Sequence, residues 1–203
     1  VFVVQRRGGG HGPTVVPNPE DWTTPRWMYF NTNMLAPLPA KLANNGKVDA
    51  SSQEDLRTQV MLGHLPFLVR PEARTALVVG LASGVTAGSV TLQPDLERID
   101  VLEIEPAVIE ASRYFEPING RPLDDARLRL VIGDARGELR RDVEPYDVII
   151  SEPSNPWITG VANLFTRDFF ELTASRLSPG GVFAQWFHLY GMSEESAREV
   201  VAT

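Results

Sequence analysis

The chain has 203 residues, 43% of them hydrophobic and 22% charged, which is an ordinary balance for one globular core with a small appended piece. A formal net charge of -7, with basic residues in no run longer than pairs such as Arg6-Arg7 and Arg140-Arg141, argues against nucleic acid or an anionic membrane surface as a partner. The lack of cysteine removes disulfides, thiolate metal sites and cysteine nucleophiles, and His11, His64 and His188 show no metal-ligand spacing, so no metal is expected.

Residues 1–45 are dense in turn formers, among them Pro13, Pro17, Pro19, Pro25, Pro37 and Pro39. The run Gly8-Gly9-Gly10-His11-Gly12-Pro13 reads as a flexible loop rather than a phosphate cradle, because a cradle opens into a helix and Pro13 with β-branched residues follows instead. Residues 1–55 are therefore expected to form loops and short strands, and residues 56–203 one nucleoside-binding domain. Over 56–68 the apolar positions Val60, Leu62, Leu65 and Phe67 predict a helix. Strand-length apolar runs then recur at 75–80, 99–103, 128–132, 146–150 and 181–187, separated by helical stretches at 84–92, 106–115, 135–141 and 166–177. Strands apolar on both faces that alternate with helices predict an α/β fold: a doubly wound, mostly parallel sheet of the Rossmann-like methyltransferase kind, with its ligand crevice at the carboxyl ends of the strands. Pro106 suits a first helical position, with Glu105 before it as N-cap. Thr166 is a plausible N-cap, with Asp168 in the first turn, and Ser178-Pro179-Gly180-Gly181 should stop that helix. The chain ends at Thr203 inside a further helix-like stretch, so the C-terminus reads as truncated. A five-stranded core with one open edge is expected. With no apolar run near the ~20 residues of a membrane helix and no secretory signal, the expectation is a cytoplasmic domain without direct membrane contact.

The candidate chemistry collects at strand ends. Gly80-Leu81-Ala82-Ser83-Gly84 follows the first strand of the regular region, and Gly80 and Gly84 permit a tight turn and close approach of a ligand. Glu103 ends the next strand 23 residues after Gly80, the spacing at which an acidic side chain accepts hydrogen bonds from a ribose diol. Its side chain is expected to have no partner except solvent or ligand. Gly133-Asp134-Ala135 follows the third strand, where Asp134 can accept from an adenine amino group, cap the next helix, or do both. Together these signals point to an adenosine-type cofactor.

The fourth strand, Tyr146-Asp147-Val148-Ile149-Ile150, runs into Ser151-Glu152-Pro153-Ser154-Asn155-Pro156-Trp157, with Gly160 and Asn163-Leu164-Phe165 beyond. This segment resembles the spermidine synthases, the polyamine aminopropyltransferase family, whose motif reads tyrosine, aspartate, valine and two isoleucines, then aspartate, two small residues, aspartate and proline. The likeness extends to Asn45-Gly46-Lys47-Val48-Asp49-Ala50-Ser51 and to Gly63-His64-Leu65-Pro66, covering about residues 45–190, and is strongest to bacterial spermidine-synthase-like domains. It implies that Glu152 stands where the family has its proton-accepting aspartate and Asn155 where an aspartate holds the amine. It further implies that Glu103 binds ribose, Asp134 adenine, and that His64 lies near the sulfonium. The co-substrate implied is decarboxylated S-adenosylmethionine or S-adenosylmethionine, and the partners a small-molecule amine and, at most, a second copy in a homodimer.

Further positions depart from the pattern. The family's glycine-rich loop carries an aspartate for the aminopropyl ammonium where this chain has Ser83, and its amine-binding tyrosine is replaced by Thr58. Loss of negative charge at Ser83 and Asn155 weakens preference for the decarboxylated co-substrate by ~1–3 kcal/mol per contact. Glu152 remains a candidate general base for attack by an amine on carbon beside a sulfonium, or alternatively a structural acceptor in a proline-rich turn. Trp157 reads as packing, while Gln185 and Tyr190 are candidates to line the same crevice on the substrate side. Three readings follow: an aminopropyltransferase-like enzyme; a methyltransferase on the same sheet, if Ser83 tolerates the carboxylate an aspartate would repel; and a non-catalytic nucleoside-binding domain. The charge around Ser83 separates the first two.

Overall fold

A computed structural model describes residues 41–44, 47–51, 56–141, 144–154, 160–187 and 193–202. The Gly8–Gly12 run, Asn155, Trp157, His188 and Tyr190 lie outside them. In chain order the elements are β1 (Lys41–Asn44), β2 (Lys47–Ser51), α1 (Leu56–Val69), β3 (Thr75–Val79), α2 (Val85–Thr91), β4 (Arg98–Glu103), α3 (Pro106–Ser112), α4 (Glu116–Asn119), β5 (Leu128–Ile132), α5 (Ala135–Arg140), β6 (Tyr146–Ser151), α6 (Arg167–Ala174), β7 (Leu177–Gln185) and α7 (Glu194–Ala202). Single 3₁₀ turns occur at Arg113–Phe115, Pro122–Asp124 and Val161–Phe165. β1 and β2 form an antiparallel hairpin.

β3 to β7 form one sheet in the order β5-β4-β3-β6-β7, with every pairing parallel. Alternate residues feed two cores. Ala76, Val78, Ile99, Val101, Val148 and Ile150 meet α1 and α2 on one face. Leu77, Val79, Leu102 and Ile149 meet Leu139 of α5 and Phe169 of α6 on the other. Both faces are covered, which is why the strands read as apolar throughout, and the doubly wound parallel sheet stands as expected. The order reverses between β4 and β6 around β3, and that switch point opens the crevice at the strands' carboxyl ends. Among the described residues the outer edge of β7 has no strand partner.

The caps follow the local sequence. Glu105 accepts from Ala107 N–H with Pro106 at the first position, Asp134 from Gly137 N–H, and Thr166 from Phe169 N–H. One boundary differs: α6 ends at Ala174, and the Ser178-Pro179-Gly180-Gly181 stretch lies inside β7 as an irregularity rather than stopping the helix. The side chain of Asp147 explains the change, since its Oδ1 accepts from Ser178 Oγ at 2.6 Å and draws that stretch onto the sheet.

Two carboxylates anchor the amino-terminal side of the sheet. Asp100, 1% exposed, lies opposite Arg129 on β5 and accepts from its Nε and Nη2 at 2.8 and 2.9 Å. It also accepts from the Tyr146 hydroxyl at 2.6 Å, and burial together with that bond pushes the Tyr146 hydroxyl far above its ordinary value. Asp147 Oδ2 accepts from the N–H groups of Arg74 and Thr75 at 2.8 and 3.1 Å and from Thr75 Oγ1 at 3.2 Å, while Asp147 N–H returns a bond to Thr75 Oγ1 at 2.9 Å. Burial raises the Asp147 pKa, but these hydrogen bonds outweigh it and hold the carboxyl below the usual aspartate range.

A depressed folded-state pKa gives stability that is present above the unfolded value, about 4, and is lost as pH falls through the folded one. Asp147→Asn should therefore be less stable than the wild-type chain at pH 7, with the gap in urea midpoint shrinking as pH falls below about 4. A gap of equal size at pH 7 and pH 3 would show that the charge of Asp147 contributes nothing.

Candidate functional site

The loop after β3 is the centre of the site. Gly80 and Gly84 have φ of +94° and +79°, values that glycine adopts without strain, and a Cβ at Gly80 would lie 3.2 Å from the carbonyl oxygen of Glu152. Ala82 in the same loop also has a positive φ, 45°. The loop thus turns sharply over the end of β3 and packs directly against the first residue after β6.

Glu103, at the end of β4, fixes this loop. Its Oε2 accepts from Leu81 N–H at 2.9 Å and its Oε1 from Glu105 N–H at 2.9 Å, and the residue is 7% exposed. The expectation that it would have no partner but solvent or ligand is corrected: neighbouring strand ends bring unpaired backbone donors beside it, and a buried carboxylate satisfies them. Burial pushes the Glu103 carboxyl up, partly offset by the surrounding backbone N–H groups. The N–H groups of Ile104 and Ala82 act on the same carboxylate beside those of Leu81 and Glu105.

On the other side of the loop, polar side chains and main-chain carbonyls link α1, α2, α4 and the end of β6. Ser83, fully buried, donates to Gln59 Oε1 at 3.0 Å. Thr86 Oγ1 lies 3.2 Å from the Gln59 carbonyl oxygen and 2.5 Å from Glu152 Oε2. Asn119 closes the loop from α4, donating through Nδ2 to the carbonyls of Ser83 and Ser112, both at 2.9 Å. Gln59, Thr86 and Asn119 escaped the sequence reading. Gln59 lies in an apolar helix next to Thr58, and the signal available was a polar residue on the face that α1 turns to the loop.

Glu152, Gly80, Ser83, Gly84, Glu103 and Asp134 all lie at the carboxyl edge of the sheet, as expected for strand-end residues. Asp134 uses Oδ2 as the cap of α5, at 3.0 Å from Gly137 N–H, and its residue is otherwise exposed. Thr58 is half-buried in the first turn of α1, adjacent to Gln59. Gln185 ends β7 beside Ser151, and Gln185 Oε1 and Ser151 Oγ are both buried without a hydrogen-bond partner among the described residues. They leave one spare acceptor and one spare donor side by side.

His64 is placed elsewhere. α1 and α2 run alongside in the same direction, so the residue more than a turn beyond Gln59 sits lower on the sheet, where His64 Nδ1 pairs with Gln93 Nε2 at 2.9 Å past the end of α2. The described residues contain no cluster suited to a metal ion, and no described helix is long and apolar enough to cross a membrane.

A family model described as the spermine/spermidine synthase domain matches residues 55–200. The chain is similar to spermidine synthase of Dictyostelium discoideum, 33% identical over 153 residues, covering 73% of this chain and 54% of that protein. It is also similar to putrescine N-methyltransferase 2 of Nicotiana attenuata, 35% identical over 136 residues, covering 64% of this chain and 36% of that one. Among solved structures, a spermidine synthase in complex with the transition-state analogue AdoDATO superposes with a TM-score of 0.65 at 27% identity, over 70% of this chain and 48% of that one. The chain spans about half the length, or less, of these relatives. The extent of the match through sheet, loop and reaction segment makes this chain a member of the spermine/spermidine synthase family.

Proposed function

We propose that this chain is the nucleoside-binding and catalytic domain of an aminopropyltransferase that uses decarboxylated S-adenosylmethionine and a small-molecule amine. The observation that carries the reading is the seat of Glu152: a carboxylate held at the strand switch point, beside a loop built for close approach of a ligand. In this reading Glu103 shares its remaining acceptor capacity with the ribose hydroxyls, and Asp134 accepts from the adenine amino group through the oxygen not used in capping. Thr58 and Gln185 line the amine side, and Asn155, outside the described residues, is assigned to the amine by the family motif.

The reaction balances without a further reagent. The amine nitrogen attacks the carbon next to the sulfonium, an N–C bond forms, and the C–S electron pair returns to sulfur, leaving a neutral thioether. The proton lost by nitrogen passes to Glu152. The protein contributes mainly by holding nucleophile, carbon and leaving sulfur in line and by keeping the amine neutral.

A methyltransferase reading has one observation in its favour. Ser83 is neutral and its hydroxyl is engaged with Gln59, so the loop presents no side-chain charge to repel the carboxylate of intact S-adenosylmethionine. Similarity to both a spermidine synthase and a putrescine N-methyltransferase accords with either transfer.

Calorimetric titration with both co-substrates separates these readings, and tighter binding of the decarboxylated form is expected. Glu103→Ala should abolish binding of both and also lower stability by about 1–3 kcal/mol, because Leu81 and Glu105 lose their acceptor. Equal affinity in wild type and variant would overturn the ribose assignment. Glu152→Gln keeps size and reach but cannot take a proton. It should leave co-substrate affinity within about twofold and lower turnover by about 10²–10⁴. Unchanged turnover would make Glu152 a structural acceptor.

A further inference from the structure

α2 carries three hydroxyl side chains, and two of them are satisfied within their own helix. Ser89 Oγ donates to the Val85 carbonyl at 2.9 Å, and Thr91 Oγ1 to the Gly88 carbonyl at 2.7 Å. Thr86 does otherwise. Its hydroxyl leaves the helix and lies between two acceptors on different elements, Glu152 Oε2 after β6 and the Gln59 carbonyl on α1. At 2% exposure it has almost no access to bulk water, and as a β-branched residue in a helix it has few rotamers to choose from.

A hydroxyl has one proton to give and two lone pairs to receive with. Both contacts therefore cannot be full donations from Thr86 at once. We propose that Thr86 is a positioning residue for Glu152, a hydroxyl rotor that holds this carboxyl group in one place through both of its protonation states. When Glu152 is ionised, Thr86 turns its proton to Oε2. When Oε2 of Glu152 carries the proton, the acid donates it in a hydrogen bond to Thr86 Oγ1, and Thr86 turns its own toward the Gln59 carbonyl. No atom need move beyond rotation about the C–O bond, so the base returns from its protonated form without losing its aim. The inference rests on the reading of Glu152 as the base.

The described elements around this carboxyl group bring the following titratable residues. α1 contributes Arg57 and, further down, His64; the loop over residues 80–84 is backed by Glu103; β3, α2 and β7 contain no titratable residue. Loss of the Thr86 bond should register on Glu152. A hydrogen bond donated to the ionised form favours that form, so its removal raises the pKa.

The test is a ¹³C-carboxyl NMR titration of the full chain, with the Glu152 resonance assigned by its disappearance in Glu152→Gln. Thr86→Val keeps the branched shape and removes the hydroxyl. It should raise the Glu152 midpoint by up to about one pH unit, because the charge-assisted bond lost from the carboxylate is stronger than the neutral bond lost from the acid. Thr86→Ser should restore the wild-type midpoint. If the valine variant does not fold, Thr86→Ala supplies the same comparison without a methyl group against the carboxylate. A midpoint unchanged in either folded variant overturns the rotor, whatever Glu152 does in catalysis. Failure of the base reading shows separately, as unimpaired turnover in Glu152→Gln, and would leave a shifted midpoint standing. The acid limb of the pH–rate profile in Thr86→Val should move in the same direction as the NMR midpoint, while a Thr86 that merely joins α1 to α2 would change melting temperature and leave both curves in place.

Discussion

Parallel strands that end side by side leave backbone donors facing a crevice that must stay open to a ligand. Glu103 resolves this at the end of β4 by accepting from Leu81 N–H of the neighbouring loop and from Glu105 N–H of its own connection. The loop can then hold left-handed backbone at Gly80, Ala82 and Gly84 without collapsing into the space above the sheet. Everything else in the site is positioned against that loop: Ser83 faces α1, Thr86 opens α2, and the Glu152 carbonyl packs on Gly80. The same carboxylate serves structure and, in the proposed reading, ribose recognition. In that reading the ribose hydroxyls share the carboxylate with the backbone donors around it.

The carboxylates at the two ends of the sheet do different work. Asp100 and Asp147 lie at the amino-terminal side, each surrounded by several donors, and their bonds tie strands and connections that are distant in sequence. Glu103 and Glu152 lie at the opposite side, bonded to the loop and helix that frame the crevice. An acidic chain with few lysines thus uses its buried carboxylates as acceptors for backbone and hydroxyl groups, with arginine engaged mainly where the sheet meets solvent, as Arg129 does at β5.

In the proposed reading the chemistry is group transfer from a sulfonium to an amine, and the similar proteins include both a spermidine synthase and a putrescine N-methyltransferase. What differs between an aminopropyl and a methyl donor is charge: an ammonium alone in one case, an ammonium with a carboxylate in the other. The neutral, buried Ser83 and the engagement of Gln59 beside it set the electrostatics of that part of the loop. In the proposed reading, selectivity between the two donors rests on groups outside the glycine loop.

The amino-acid sequence determined the layered fold and the strand-end residues by itself. Period and composition mark strands buried on both faces, and the position of Gly80, Glu103, Asp134 and Glu152 at strand ends follows from chain order once the sheet is parallel. Three things it left to the tertiary structure. The pairing of Asp100 with Arg129 needs the register of β4 on β5, which no local pattern encodes. The displacement of His64 from the crevice needs the relative direction of α1 and α2. The link from Gln59 through Thr86 to Glu152 joins residues as many as 93 positions apart (152 − 59), in a helix, a second helix and a strand end. Backbone periodicity records which face of an element is buried, but hydrogen bonds between elements depend on distances of a few tenths of an ångström, and only the packed chain sets those.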